Sequence, residues 1–188
     1  MLRHFRNPRL LATYTVGFGM LFALVSTFTY VTFYLAAPPF HLSTAALSYL
    51  FAIYLVGLLV TPAGGYLITR IGLRYGIALA IILCLLGERL TLIHSLPVII
   101  FGGLGLVCTG VFIAQSAAPS FLRIAASEGG RVSAAGLYLS VGGFLPAVAW
   151  QIGKWPASVA LTSAILVAIL FVGWIGFRDP HPPRTILD

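Results

Sequence analysis

Six long apolar stretches, separated by short polar or proline-containing breaks, are the feature that most limits how this chain can fold. A helix needs about 20 apolar residues to cross the roughly 30 Å hydrocarbon layer of a bilayer. Backbone polar groups in that layer must be satisfied within the protein, which leaves helices or closed barrels. Barrel strands alternate apolar and polar residues, whereas these runs are continuous. The sequence therefore predicts an all-α membrane protein with six transmembrane helices.

Proline, glycine and charged residues set the limits of the six runs. The predicted spans cover residues 10–36, 45–68, 75–93, 97–118, 134–152 and 157–177. Residues 1–9 and 178–188 fall outside this six-helix domain as an N-terminal segment and a tail. The polar interval 120–133 is predicted as a loop, with room for a short surface helix. Ser43 or Thr44 is expected to cap the second helix, because their hydroxyls accept hydrogen bonds from first-turn amides.

The composition agrees with a chain whose main partner is the lipid bilayer. Of 188 residues, 60% are apolar and 8% are charged, whereas a soluble domain has about 45–50% and about 25%. The net charge of +7 comes from basic residues scattered between apolar runs, so we expect no nucleic-acid partner. Cys84 and Cys108 lie inside apolar runs, and we expect neither a disulfide nor a metal site there.

The distribution of basic residues predicts the orientation in the membrane. If the N-terminus is inside, nine of the eleven basic residues lie on the inner side, and only Arg89 and Lys154 lie outside. The nine are Arg3, Arg6, Arg9, Arg70, Arg74, Arg123, Arg131, Arg178 and Arg184. Such an excess marks the cytoplasmic side. We therefore expect both termini in the cytoplasm and the helices in a bacterial cytoplasmic (inner) membrane.

The inner turn between the second and third runs carries a specific pattern. Residues 65–74 read Gly-Tyr-Leu-Ile-Thr-Arg-Ile-Gly-Leu-Arg, in which Gly65, Arg70, Gly72 and Arg74 recur at fixed spacing. This pattern resembles the cytoplasmic loop of the major facilitator superfamily (MFS), although Thr69 stands where that family commonly has aspartate. In the family this loop helps to hold one conformation closed. Arg70 and Arg74 are equally explained as positive-inside anchors.

A second stretch extends the resemblance. Residues 112–118, with Gln115, and residues 135–139, with Tyr138, are similar to the fourth and fifth helices in the C-terminal half of efflux-type, arabinose-efflux-permease-like facilitators. The resemblance implies half of a twelve-helix fold, built as a 3+3 inverted repeat. It also implies a substrate cavity shared with a second six-helix half. That half would be a second copy, another chain, or the rest of a longer protein.

Four side chains within the runs are candidates for the cavity or for coupling. Glu88 could bind a coupling proton, or it could pair with a neighbouring helix. Gln115 could hydrogen-bond a substrate, or it could join two helices inside the bundle. Tyr138 could face the cavity or the lipid. Tyr30 lies on one side of the first helix with Thr27 and Tyr34, and that helix would line the cavity in the family.

Two functions remain open from the sequence. The first is a half-unit of a secondary transporter that moves a small organic solute, by efflux and with or without proton coupling. The second is a membrane protein that does not transport, either an inactive remnant of a transporter or a six-helix structural partner. The sequence has no nucleotide-binding loop and no paired metal ligands, so we expect neither an enzyme nor a cofactor.

Overall fold

The computed structural model describes the backbone of residues 8–117 and 128–177, and the side chains of residues 12, 15–117 and 144–177. Every regular element in these ranges is helical, which confirms the all-α part of the predicted fold class for them. The helices are α1 Pro8–Ala36, α2 Thr44–Leu50, α3 Val56–Ile71, α4 Leu73–Leu90, α5 Gly105–Ser116 and α6 Glu128–Gly176. A 3-10 segment, Phe51–Leu55, joins α2 to α3, and a π-helical segment, Val98–Leu104, leads into α5.

Several stretches in the described part of the chain suit a membrane. Four are long and apolar enough to cross one: Thr15–Ala36, Thr44–Ile71, Val98–Ser116 and Phe144–Gly176. The 18-residue α4 is also largely apolar, and it carries Arg74, Glu88 and Arg89. The 49-residue α6 is interrupted at Gly153 and Lys154, whose backbone angles are not helical.

The ends of the helices follow from local chemistry. The Ser43 side chain accepts a hydrogen bond from the Ala46 amide at 3.3 Å, so the predicted cap of the second helix is confirmed at Ser43. Of the predicted loop over 120–133, residues 120–127 lie outside the described residues, and residues 128–133 differ from the prediction because α6 begins at Glu128. Charged residues such as Glu128 and Arg131 made this stretch look like a loop, but both residue types are good helix formers. The first proline inside α6 is Pro146.

Small residues bring α4 and α5 into backbone contact. A β-carbon added at Gly110 on α5 would lie 2.4 Å from the Ala80 carbonyl oxygen on α4, and one added at Gly87 on α4 would lie 2.6 Å from the carbonyl oxygen of Gly103, in the π-helical segment that leads into α5. Glycine interfaces of this kind let helices in lipid gain van der Waals contact along their backbones. Among the described residues, the most extensive helix contact is between α1 and α6, and α3 also packs against α5.

The apolar core consists of two clusters. One contains Met20, Cys84 and Leu166, and the other contains Phe28 and Trp155. Along α1 and α6, buried hydroxyl residues lie between the residues that belong to the two clusters. The interior of the bundle therefore contains a polar layer, which positions the candidate site described next.

Candidate functional site

A set of buried polar residues lies where α1, α4 and α6 meet, and we call it the polar seam. Its members are Ser26 and Thr27 on α1, Glu88 on α4, Thr91 at the end of α4, and Thr162 on α6. Each of the five is at most 1% exposed. Buried polar groups in an apolar medium are costly unless they are hydrogen-bonded. The contacts within the seam meet this requirement.

Glu88 is the acidic member of the seam. Its Oε1 is hydrogen-bonded to the Thr27 hydroxyl, which joins α4 to α1. The Thr27 hydroxyl also lies 2.7 Å from the carbonyl oxygen of Ala23, one turn earlier on α1. The sequence left two roles open for Glu88: it could bind a coupling proton, or it could pair with a neighbouring helix. The structure gives it the partner on a neighbouring helix, and its use as a proton site stays a prediction.

Further hydrogen bonds extend the seam to α6. Ser26 and Thr162 are joined through their hydroxyl oxygens at 2.9 Å. The Thr91 hydroxyl donates to the Glu88 carbonyl oxygen at 2.7 Å, and the indole N–H of Trp155 donates to the Thr91 carbonyl oxygen at 3.2 Å. Two groups of hydrogen bonds therefore join the three helices inside the bundle, one through Ser26 and Thr162 and the other through Glu88 and Thr91.

Tyr30 belongs to the packed interior of this chain. It is buried, and its ring lies 6.0 Å from the ring of Trp150 on α6 and 5.9 Å from that of Phe33. Tyr34, one turn further, stacks on Trp155 at 5.4 Å. These aromatic contacts hold α1 against α6. Tyr30 therefore lines the contact between α1 and α6, and any role in a cavity stays a prediction.

Gln115 has a different environment from the one expected inside a bundle. It lies near the end of α5, and its side chain is exposed on the surface of the chain. Whether Gln115 hydrogen-bonds a substrate or joins two helices stays a prediction. The sequence shows that Gln115 is on a helix but not which face turns outward. The side chain of Tyr138 lies outside the described residues.

The inner turn joins α3 to α4 through one residue, Gly72. Its φ of 85° is in the region that favours glycine, and its amide donates to the Ile68 carbonyl oxygen at 2.9 Å. Arg70 is exposed, with its guanidinium carbon 4.9 Å from the centre of the Tyr66 ring. Thr69, at the position of the family's aspartate, bonds to the Tyr66 carbonyl oxygen at 2.7 Å.

Arg74 is held by an aromatic ring. Its guanidinium carbon lies 3.7 Å from the centre of the Trp174 ring, near the end of α6. The neighbouring Tyr75 meets the same ring edge-on at 5.9 Å. In the part of the chain that the structure describes, the buried Nε of Arg74 has no hydrogen-bond partner. The contact therefore ties the inner turn to α6 by cation–π attraction.

The glycine that packs closely beside this turn is Gly64. A β-carbon there would lie 2.9 Å from the Ser116 hydroxyl oxygen and 3.1 Å from the Ile113 α-carbon on α5. At Gly65 the same construction meets no atom within 4 Å. Of the pattern residues, Gly72 forms the turn, Arg74 contacts α6, and Gly65 has no close neighbour among the residues that the structure describes.

Comparison with known proteins identifies relatives along most of this chain. An uncharacterized transporter of Buchnera aphidicola subsp. Schizaphis graminum is 29% identical over 175 residues, which cover 89% of this chain and 41% of the relative. The uncharacterized MFS-type transporter YybF of Bacillus subtilis is 27% identical over 192 aligned positions, covering 98% of this chain and 47% of YybF. The chain is related to MFS-type transporters. No protein-family model and no solved structure matches it.

The MFS-type relationship confirms the resemblance inferred from the inner turn. A third relative, an uncharacterized transporter of Buchnera aphidicola subsp. Baizongia pistaciae, is 27% identical over 173 residues. The chain spans somewhat less than half the length of these curated relatives, between 41% and 47%. That it corresponds to the C-terminal half stays a prediction.

Two features of the chain were missed at the level of sequence. Trp174 was not among the candidate residues, although its ring lies against the Arg74 guanidinium. Ser26, Thr91 and Thr162 look like ordinary small polar residues in apolar runs, which membrane helices commonly contain. Their only signal is position: Ser26 adjoins Thr27, and Thr91 lies one turn after Glu88.

Proposed function

We propose that the chain is a six-helix half-unit of a secondary transporter that moves a small organic solute, by efflux, across the bacterial cytoplasmic membrane. The observation that carries this proposal is the similarity to transporters over 88–98% of the chain. The apolar helices with a polar interior agree with it. Solute and direction are our inference from the efflux-type resemblance.

Six crossings would follow from the helices in order. Four would be α1, the Thr44–Ile71 stretch, α4 and the Val98–Ser116 stretch. The two arms of α6 would supply the others, because the interruption at Gly153 and Lys154 allows the chain to reverse. An even number of crossings returns the C-terminal tail to the side of the N-terminus. Reporter tags at both ends should then both face the cytoplasm.

A second half would complete the transport path. Only 11% of the most apolar window of Thr44–Ile71 is buried within this chain, against 33–56% for the other three stretches. This surface has room for lipid and for a partner. In MFS transporters two halves are related by an axis along the membrane normal, and substrate binds between them. We propose a second copy, another six-helix chain, or the rest of a longer protein as that half.

The test is solute flux in proteoliposomes that contain the purified chain. A panel of labelled drugs, sugars and metabolites is measured with and without a pH gradient, against empty liposomes. We expect flux of at least one solute. Flux that responds to the gradient would support proton coupling. Absence of flux from folded protein across the panel would favour the alternative, a six-helix partner that does not transport.

A matched pair of variants on α5 sharpens this test. Gln115→Ala removes an exposed amide that a solute between two halves could contact. Thr109→Ala removes a hydroxyl that already donates to the Gly105 carbonyl oxygen of its own helix at 2.8 Å. We expect Gln115→Ala to raise KM and Thr109→Ala to leave it unchanged. Equal KM values for the two variants would remove Gln115 from the path.

A native mass measurement in mild detergent tests the pairing of halves. We expect a dimer if the chain transports by itself. A particle that is strictly monomeric and still carries solute would contradict the requirement for a second half.

A further inference from the structure

Glu88 is an acidic side chain enclosed by the bundle. It is 1% exposed, and it lies between α1 and α4 rather than at the surface. A carboxylate in such surroundings needs a cation or several donors, because its charge is otherwise very costly. Among the described residues, the Thr27 hydroxyl is the side chain that bonds to the Glu88 carboxyl group. A single hydrogen bond from one hydroxyl stabilises a buried negative charge only slightly.

The single hydrogen of the Thr27 hydroxyl determines whether Glu88 is protonated. A threonine hydroxyl has one hydrogen to donate and lone pairs with which to accept. The Thr27 oxygen contacts two oxygens, the Ala23 carbonyl at 2.7 Å and Glu88 Oε1. Its single hydrogen can serve only one of them. Because a carbonyl oxygen cannot donate, the hydrogen goes to Ala23 if both contacts are to be hydrogen bonds, and Glu88 must then supply the other hydrogen.

We propose that Glu88 and Thr27 form a proton-binding site, in which Glu88 is a neutral carboxylic acid that donates its proton to the Thr27 hydroxyl. The hydroxyl in turn donates to Ala23, so that three groups form a chain of hydrogen bonds from α4 into α1. The inference goes beyond the proposed function and stands without it, since a proton can bind whether or not a solute moves.

No other ionisable group of the described residues near Glu88 is placed to neutralise a charged Glu88 carboxylate in place of this proton. On α4, Arg89 is exposed, and the Cys84 thiol points to the Val107 carbonyl oxygen at 3.5 Å. On α5, Cys108 is a buried free thiol, and on α1, Tyr30 packs beside Trp150. The described part of α6 brings only hydroxyls and the Trp155 indole to this region.

Release of the proton would change the contact between two helices. When Glu88 gives its proton to water, the carboxylate accepts the only hydrogen of the Thr27 hydroxyl. The bond from that hydroxyl to the Ala23 carbonyl is then lost, and a charge remains between α1 and α4. Water must enter or the helices must move apart to solvate it. Proton content therefore sets how tightly α1 and α4 are joined.

Infrared spectroscopy of the purified protein in detergent tests this directly, because a protonated carboxyl group has its own C=O stretching band. The chain has three other acidic residues, Glu128, Asp179 and Asp188, so variants are needed to assign the band. At pH 7 we expect a carboxylic acid band in the native protein that Glu88→Gln lacks and Glu128→Gln retains. If native protein and Glu88→Gln give the same carboxyl region at pH 7, the proposal is overturned.

Variants at Thr27 keep the test open if Glu88→Gln does not fold. Thr27→Ser retains a hydroxyl at the same place and should leave the Glu88 band where it is. Thr27→Val replaces the hydroxyl with a methyl group of similar shape and should shift the band to higher frequency, because the hydrogen bond that the acid donates is lost. A band that is the same in the serine and valine variants would show that Thr27 does not hold the proton of Glu88.

Discussion

The close contact between α4 and α5 gives the sharpest prediction about stability. Replacing Gly110 with alanine would place a methyl carbon 2.4 Å from the Ala80 carbonyl oxygen and 2.6 Å from the Cys84 sulfur. Both neighbours are fully buried and one is backbone, so neither can turn aside. The carbon falls roughly 1 Å short of a normal contact of about 3.5 Å, so the helices must separate.

The expected cost follows from measured overpacking in protein cores. Forcing an extra carbon into a well-packed core costs about 1–3 kcal/mol. We expect the upper part of that range, because a shift of α4 also weakens the contact between Gly87 and Gly103. A cost of about 2–3 kcal/mol should raise the equilibrium constant for unfolding roughly 30- to 150-fold.

Gly105→Ala on the same helix is the matched control. A β-carbon there lies 3.9 Å from its nearest neighbours, which is ordinary contact, so we expect no loss of stability. Both variants are compared with native protein by SDS titration in mixed micelles, followed by tryptophan fluorescence and circular dichroism. If Gly110→Ala unfolds at the same SDS fraction as Gly105→Ala, the close backbone contact does not exist as described.

Two further substitutions test other local features by the same titration. Gly72→Ala should destabilise the protein by about 1–2 kcal/mol, because an L side chain is strained at a φ of 85°. Gly65→Ala is its control, because a β-carbon there meets open space. Equal stability of the two variants would rule out the positive φ at Gly72. Trp155→Phe should lower the free energy of unfolding by about 1 kcal/mol, because the hydrogen bond to Thr91 is lost. The Trp174 ring is exposed, so Trp174→Phe should lower it less. The reverse order would contradict the buried hydrogen bond of the Trp155 indole.

The helical fold could be predicted from the sequence, for a physical reason. Long continuous apolar runs have few ways to satisfy their backbone in lipid, and a helix does so locally. The Ser43 cap could be predicted as well, because capping involves residues only three apart. Features decided within a few neighbouring residues are readable without a structure.

The candidate site depended on contacts between distant parts of the chain. Thr27 and Glu88 are 61 residues apart, and sequence periodicity gives the face of a helix but not the helix beside it. The same limit explains Gln115, which the sequence places on a helix while leaving open whether its face turns inward or outward. Gly64 and Gly65 differ only in which one meets α5, and that depends on the position of α5.

The ring beneath Arg74 also has a consequence for how the inner turn responds to its surroundings. Thr69, the neutral residue nearby, bonds to the Tyr66 carbonyl oxygen, and the Arg74 guanidinium rests on the Trp174 ring. An indole ring takes up no proton in the range of pH that cells experience, and it carries no charge for salt to screen. Acidification would therefore leave this attachment to α6 intact, while a carboxylate in the same role would lose its hold.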